Sequence, residues 1–271
     1  MTTTGTLRVP GARLYYEVRG SGPLVALVGA PMDAAAFEPL AELLATDHTV
    51  LTTDPRGINR SPVDDPEQDS TPPLRADDLS RLVAEVDAGR AVVLGSSGGA
   101  CTALAFAQAH PEQSRLVIAH EPPLDDLLED RDTLYRETDD MIAVYLAGDA
   151  MGAWRKFMAL SNIDLPDGAL EHMFGGERDP RQIADERRWF EHELRETVHW
   201  RPDLAALRTV RSRIVAGIGE DSAGELCDRA TRALAAAIGI EPTLFPGGHT
   251  GFADDPKRFA VHLREVLAES P

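Results

Sequence analysis

The residues with the clearest chemical potential lie between Ala91 and His110. Ala91 to Leu94 is a short apolar run that reads as a buried strand. Gly95-Ser96-Ser97-Gly98-Gly99 follows and fits G-x-S-x-G with Ser97 at its centre. Ala100 to Ala109 is mostly alanine with Leu104 and Phe106, and reads as a helix. A serine at the apex of a strand, a tight turn and a helix can be presented as a nucleophile. The turn strains the serine backbone. Side chains at Gly95 and Gly99 would collide with neighbouring backbone, so only hydrogen fits there. Neither G-x-G-x-x-G nor G-x-x-x-x-G-K-S/T is present at this turn, which argues against a nucleotide site.

A neutral serine hydroxyl is a poor nucleophile. It needs a base with a pKa near 7, a group to orient that base, and donors for a developing oxyanion. Of the eight histidines, His249 is best placed. It follows the last predicted strand in a glycine-rich loop before the closing helix, so it can approach the strand ends. His120 also ends a strand, but a proline pair follows closely and it reads as packed beneath the next segment. His110 and His262 lie on or beside helices and read as surface residues.

These residues need a scaffold, and the chain supplies an alternation of strands and helices. Leu7 to Val9 and Leu14 to Val18 read as short strands around Pro10-Gly11. Leu24 to Val28 is a continuous apolar run, as expected for an interior parallel strand. Ala34 to Leu44 is helical, His48 to Thr52 a strand, and Leu74 to Val86 an amphipathic helix. Arg115 to Ala119 is a further strand, ending at His120-Glu121-Pro122-Pro123. The pattern breaks at Pro122. Up to about Pro202 only helices are predicted: Asp132 to Ala147, Ala150 to Leu160, Asp167 to Phe174 and Pro180 to His199. Trp154, Phe157, Met158, Met173, Phe174, Trp189, Phe190 and Trp200 collect there and read mainly as that segment's own core, with a minority free to line a pocket. Strands resume at Arg213 to Gly219 and Glu241 to Phe245, with helices at Gly224 to Ile238 and Pro256 to Leu267. The expected fold is α/β, with a mostly parallel doubly wound sheet and an inserted helical cap. Residues 1–121 and 203–271 would form the core and 122–202 the cap.

Composition narrows the function classes. With 271 residues, the chain is long enough for one large α/β domain with an insertion. A net charge of −18 disfavours nucleic acid and anionic membrane surfaces. No apolar run spans a bilayer, and the N-terminus lacks a charged-then-apolar signal. Cys101 and Cys227 form neither a disulfide framework nor a metal-ligand spacing, so no metal or cofactor is expected and a cytoplasmic setting is the default.

Over nearly its whole length the chain resembles the α/β-hydrolase fold family. Gly95 to Gly99 looks like the family's nucleophile elbow. Val28-Gly29-Ala30-Pro31 looks like its His-Gly-x-Pro oxyanion segment, with Val28 replacing the histidine. Asp54-Pro55-Arg56-Gly57-Ile58-Asn59-Arg60-Ser61 is similar to its D-x-R-G-x-G-x-S turn, with Asn59 in place of a glycine. Asparagine tolerates the left-handed conformation, so that departure is mild. Gly247-Gly248-His249 looks like the terminal histidine loop. The resemblance implies an oxyanion hole from the backbone N–H groups of Ala30 and Gly98. It also implies a carboxylate to orient His249. The usual place, three residues past Gly219, holds Ser222; Glu220 and Asp221 lie just before it. A second arrangement puts the acid at the end of the strand after the nucleophile helix, where Glu121 stands. Glu121 is favoured, with Asp221 and then Glu220 as alternatives. A serine nucleophile points away from the family's dehalogenases and epoxide hydrolases, which use aspartate. It implies hydrolysis of a small or medium, largely apolar ester, thioester or lactone through an acyl-enzyme. The same triad would also serve an acyltransferase or perhydrolase. A ligand-binding member without turnover is the remaining alternative.

Overall fold

The strands assemble into one eight-stranded sheet in a computed structural model that describes residues 2–164, 166 and 168–269. They are β1 (Thr2–Val9), β2 (Ala12–Gly20), β3 (Leu24–Val28), β4 (Thr49–Thr53), β5 (Ala91–Ser96), β6 (Ser114–His120), β7 (Ile214–Gly219) and β8 (Thr243–Phe245). The helices are α1 (Glu38–Leu44), α2 (Pro72–Val86), α3 (Gly98–Ala109), α4 (Arg131–Leu146), α5 (Ala150–Ser161), α6 (Ala169–Phe174), α7 (Pro180–His192), α8 (Leu194–Val198), α9 (Leu204–Thr209), α10 (Leu226–Ile238), α11 (Gly251–Asp254) and α12 (Pro256–Glu269). Strand order is β1-β2-β4-β3-β5-β6-β7-β8. Pairing is antiparallel from β1 to β2 and β2 to β4, and parallel from there on. The sheet is the mostly parallel, doubly wound one that the apolar runs predict.

Side chains alternate between the two faces of a strand, so a strand covered on both faces must be apolar throughout. In β3, Leu24, Ala26 and Val28 join one core and Val25 and Leu27 the other. β6 divides the same way, Val117 and Ala119 against Leu116 and Ile118. Helices α2, α3 and α10 cover the first face; α1 and α12 cover the second. Local chemistry sets the helix ends. Thr71 accepts the Leu74 N–H ahead of Pro72-Pro73 to start α2, and Gly239, at φ 74°, ends α10.

Between β6 and β7 the chain is helical. Helices α4, α5, α7 and α8 gather Met141, Ala153, Trp189 and Phe190 into a separate apolar cluster. Trp154 stacks on Trp189 with ring centroids 5.3 Å apart. Trp200 packs instead against the main core, and Met173 is exposed.

Several expectations need revision. The single helix predicted over Pro180 to His199 is two, broken at Glu193, whose backbone leaves the helical region at φ −132°. Its carboxylate is buried 3.8 Å from the Arg75 guanidinium, a tertiary demand invisible to helical periodicity. Helix α9 has no counterpart in the predicted elements. β1 is longer than expected because its threonine-rich start carries no apolar pattern, yet it pairs with β2 along its full length. Of the helix predicted from Asp167, α6 begins at Ala169; Asp167 lies outside the described residues.

Candidate active site

The C-terminal ends of the parallel strands carry the candidate residues, the edge at which open α/β sheets bind their ligands. Ser97 follows β5 and adopts φ 56°, ψ −126°, a strained conformation for a residue with a side chain. Two backbone hydrogen bonds hold it: its N–H donates to the His120 carbonyl at 3.0 Å, and its carbonyl accepts from Ala100 N–H at 2.8 Å. A Cβ on Gly95 would collide with the Gly99 carbonyl, and one on Gly99 with the Val28 carbonyl. Gly98 is equally confined, because a Cβ there would lie 2.5 Å from the Ala30 oxygen. That contact places Ala30 beside the first turn of α3, where Gly98 N–H has no partner within the helix.

His249 leaves the loop after β8, and its Nδ1 lies 2.6 Å from Glu121 Oε2. Glu121 itself is fully buried, with a left-handed backbone at φ 54°. Its N–H donates to Gly217 O at 2.9 Å, and its Oε1 accepts the Gly219 N–H at 2.7 Å. Burial alone would raise this carboxyl. The hydrogen bond and charge of His249, with the nearby His120 and Ser222, outweigh it and hold the pKa down at about 2.

The rival carboxylates lie elsewhere. Glu220 is engaged by Arg258 at 2.6 Å. Asp221 is exposed, and its backbone N–H donates to Gly247 O at 3.1 Å. Ser222 is buried, with its hydroxyl beside Glu121 and Glu225. His120 is buried but not beneath the helical segment. It sits edge-on to Phe245 and Phe259, with Nδ1 3.2 Å from Ser96 Oγ. Burial lowers the His120 pKa to about 4.

The turn after β4 braces the segment that holds Ala30. Buried Asp54 takes Arg60 Nε at 2.7 Å on one oxygen and Ala34 N–H at 3.0 Å on the other. Asn59 adopts φ 47°, the left-handed conformation glycine would supply, and donates to Asp33 at 2.7 Å.

Ala30, Ser97, Gly98 and His249 line one cavity of roughly 670 Å³, its open mouth included. Its other wall is apolar, with Met141 of α4, Phe157 of α5, Trp189 of α7 and Leu194 of α8. Two acids that sequence reasoning did not single out, Asp125 and Glu225, also line it. Neither sits in a motif: Asp125 falls after the predicted strand at Arg115 to Ala119, and Glu225 at the start of the helix predicted over Gly224 to Ile238.

The sequence model of the alpha/beta hydrolase family matches residues 24–262. The chain belongs to that family. Within it, the chain is similar to the uncharacterized hydrolase YraK of Bacillus subtilis, with 32% identity over 268 residues, covering 97% of this chain and 95% of the relative. Two solved structures share the alpha/beta hydrolase fold. One is MGS-M2, an enzyme from a deep-sea metagenome library of the Medee basin, with TM-score 0.76 at 16% identity and 98% of each chain covered. The other is a thermophilic esterase from Thermogutta terrifontis, with TM-score 0.69 at 21% identity, covering 100% of this chain and 99% of the esterase. Membership makes the chain a hydrolase, and among the described residues no helix is long and apolar enough to cross a membrane.

Proposed function

We propose that this hydrolase uses Ser97, His249 and Glu121 to cleave a small or medium, largely apolar ester, thioester or lactone through an acyl-enzyme. The observation that carries the reading is the 2.6 Å contact between Glu121 Oε2 and His249 Nδ1, on a histidine that shares a cavity with Ser97. A carboxylate on Nδ1 fixes the tautomer that leaves Nε2 free to accept a proton. Ser97 Oγ attacks the carbonyl carbon as His249 takes its proton. The oxyanion is received by the N–H groups of Gly98 and Ala30, fixed backbone donors that need no reorganisation. His249 then protonates the leaving group, and the acyl-enzyme forms. A water, deprotonated by His249, releases the acid and restores Ser97. Helices α4 to α8 act as the cap, and their apolar side chains favour an apolar acyl group.

A fluorophosphonate tests the assignment by adding once, to Ser97, with a burst of nitrophenol from a nitrophenyl ester as the kinetic counterpart. Ser97→Ala is expected to abolish both. Labelling that persists in that variant would place the nucleophile elsewhere.

A further inference from the structure

Of the two acids in the cavity wall that the chemistry above leaves unused, Asp125 is the one with both carboxyl oxygens unpartnered. Asp125 lies in a single helical turn, Asp125–Leu127, just past the end of β6. It is fully buried, yet it lines the cavity shared by Ser97 and His249. Neither carboxyl oxygen has a hydrogen-bond partner in the protein. The nearest charges do not compensate it. Asp130 repels it, and Arg229, which attracts it, is already paired with Asp130 at 2.6 Å. Desolvation, with a smaller contribution from Asp130, pushes its pKa up to about 7. A buried carboxyl without a partner is costly to the fold, and a structural role would have supplied a donor. Such a group, in the wall of a binding cavity, is suited to take its partner from a ligand.

We infer that Asp125 is a specificity residue that accepts a hydrogen bond from a donor, a hydroxyl or an ammonium, carried by an otherwise apolar substrate. The inference rests on the reading of this cavity as the acyl site. It narrows that reading to compounds with one polar head on an apolar body. The apolar wall of Met141, Phe157 and Leu194 would enclose the body, and Asp125 would fix its register relative to Ser97. A substrate lacking the donor would leave the carboxyl desolvated and unpaired, so discrimination comes from that penalty as much as from the bond itself.

The test compares nitrophenyl esters of graded acyl length that end in a methyl, a hydroxyl or an amino group. The wild type is expected to favour a hydroxyl or amino terminus at one chain length, and the favoured head identifies the donor. Asp125→Leu is expected to raise KM for that ester about tenfold or more, as for loss of a hydrogen bond to a charged group, while the methyl ester, no longer facing an unpaired carboxyl, gains, so that the preference between the two collapses. Asp125→Asn keeps the shape and one acceptor, so it is expected to fall between wild type and leucine, nearer leucine for an ammonium because the opposite charge is lost. Equal losses on donor and methyl esters, or no donor preference in the wild type, would overturn the inference while leaving the hydrolase reading in place. Calorimetric binding of dipropyl ether, which has no donor, hexanol and hexylamine to the unacylated protein makes the converse separable. A donor preference abolished by Asp125→Leu, in a protein that turns over no ester, would uphold the anchor and refute the acyl-enzyme. Both substitutions remove an unpaired buried acid, so a melting temperature at or above wild type is expected; a marked fall would show a structural role and overturn the assignment.

Discussion

Glu121 is the residue on which the proposed chemistry turns. Its two oxygens have separate tasks: Gly219 N–H fixes one, and the other meets His249. Glu121→Gln preserves the volume but presents an amide that can donate to Nδ1 and favour the wrong tautomer. The loss in kcat is expected to approach ~10⁴, by analogy with the aspartate-to-asparagine change in serine protease triads. Asp221→Asn is expected to cost less than ~10-fold, since that carboxylate is exposed. Stopped-flow measurement of acylation on one activated ester, with melting curves for both variants, checks the pair; a crippled Asp221→Asn beside a healthy Glu121→Gln would reverse the assignment. Ser97 and His249 were legible in the sequence because glycines at fixed offsets announce the tight backbone each requires. Glu121 was legible only as one of three strand-end carboxylates. What separates them is tertiary: β6 lies beside β7, so the left-handed turn at Glu121 delivers its side chain to the Gly219 N–H. Asp125 was not legible at all, since burial without a partner leaves no trace in residue spacing.

At the scale of elements, the junction between the core and the β6–β7 helices depends on a buried charge. Arg75 of α2 donates to Ser70 O at 2.6 Å, to Thr102 Oγ1 on α3 at 2.9 Å and to Thr197 Oγ1 on α8 at 3.0 Å. Glu193, between α7 and α8, faces it from 3.8 Å. Desolvation is the largest influence on both, lowering the Arg75 pKa and raising that of Glu193, so each depends on the other to stay charged. Arg75→Met is expected to destabilise the protein by about 3–5 kcal/mol, because it leaves a buried carboxylate alone. Adding Glu193→Met is expected to restore most of that loss. Chemical denaturation of the two single variants and the double variant measures the coupling; additive losses would show that the pair acts independently. This junction also explains the uneven success of sequence reading. The interior strands β3, β5 and β6 were visible because burial on both faces demands apolar runs. The break at Glu193 was hidden, because one long-range ion pair overrode a good helical pattern.

At the scale of the molecule, two carboxyls make opposite demands on pH. The Glu121 pKa is lowered to about 2, so its contribution to stability is present above the ordinary carboxylate range and is lost as pH falls through that range toward 2. The Asp125 pKa is raised to about 7, so its share is fully present below about 4 and is lost as pH rises through 7. Asp125→Asn is therefore expected to melt above the wild type at pH 8, with the gap closing toward pH 4. Scanning calorimetry across that range checks it, and a gap independent of pH would mean that Asp125 does not titrate as its surroundings require.

The position of Glu121 has a broader consequence. With Glu121, just past β6, as the proposed acid, the loop after β7 is released from that role and holds Ser222 at the position the family's usual acid would take. The same stretch instead contributes Glu225, Leu226 and Cys227 to the cavity wall. The stretch after β7 thus shapes the cavity without serving the proposed chemistry. Exchanging residues 223–227 is a route to retailoring what the site admits while Ser97, His249 and Glu121 keep their places.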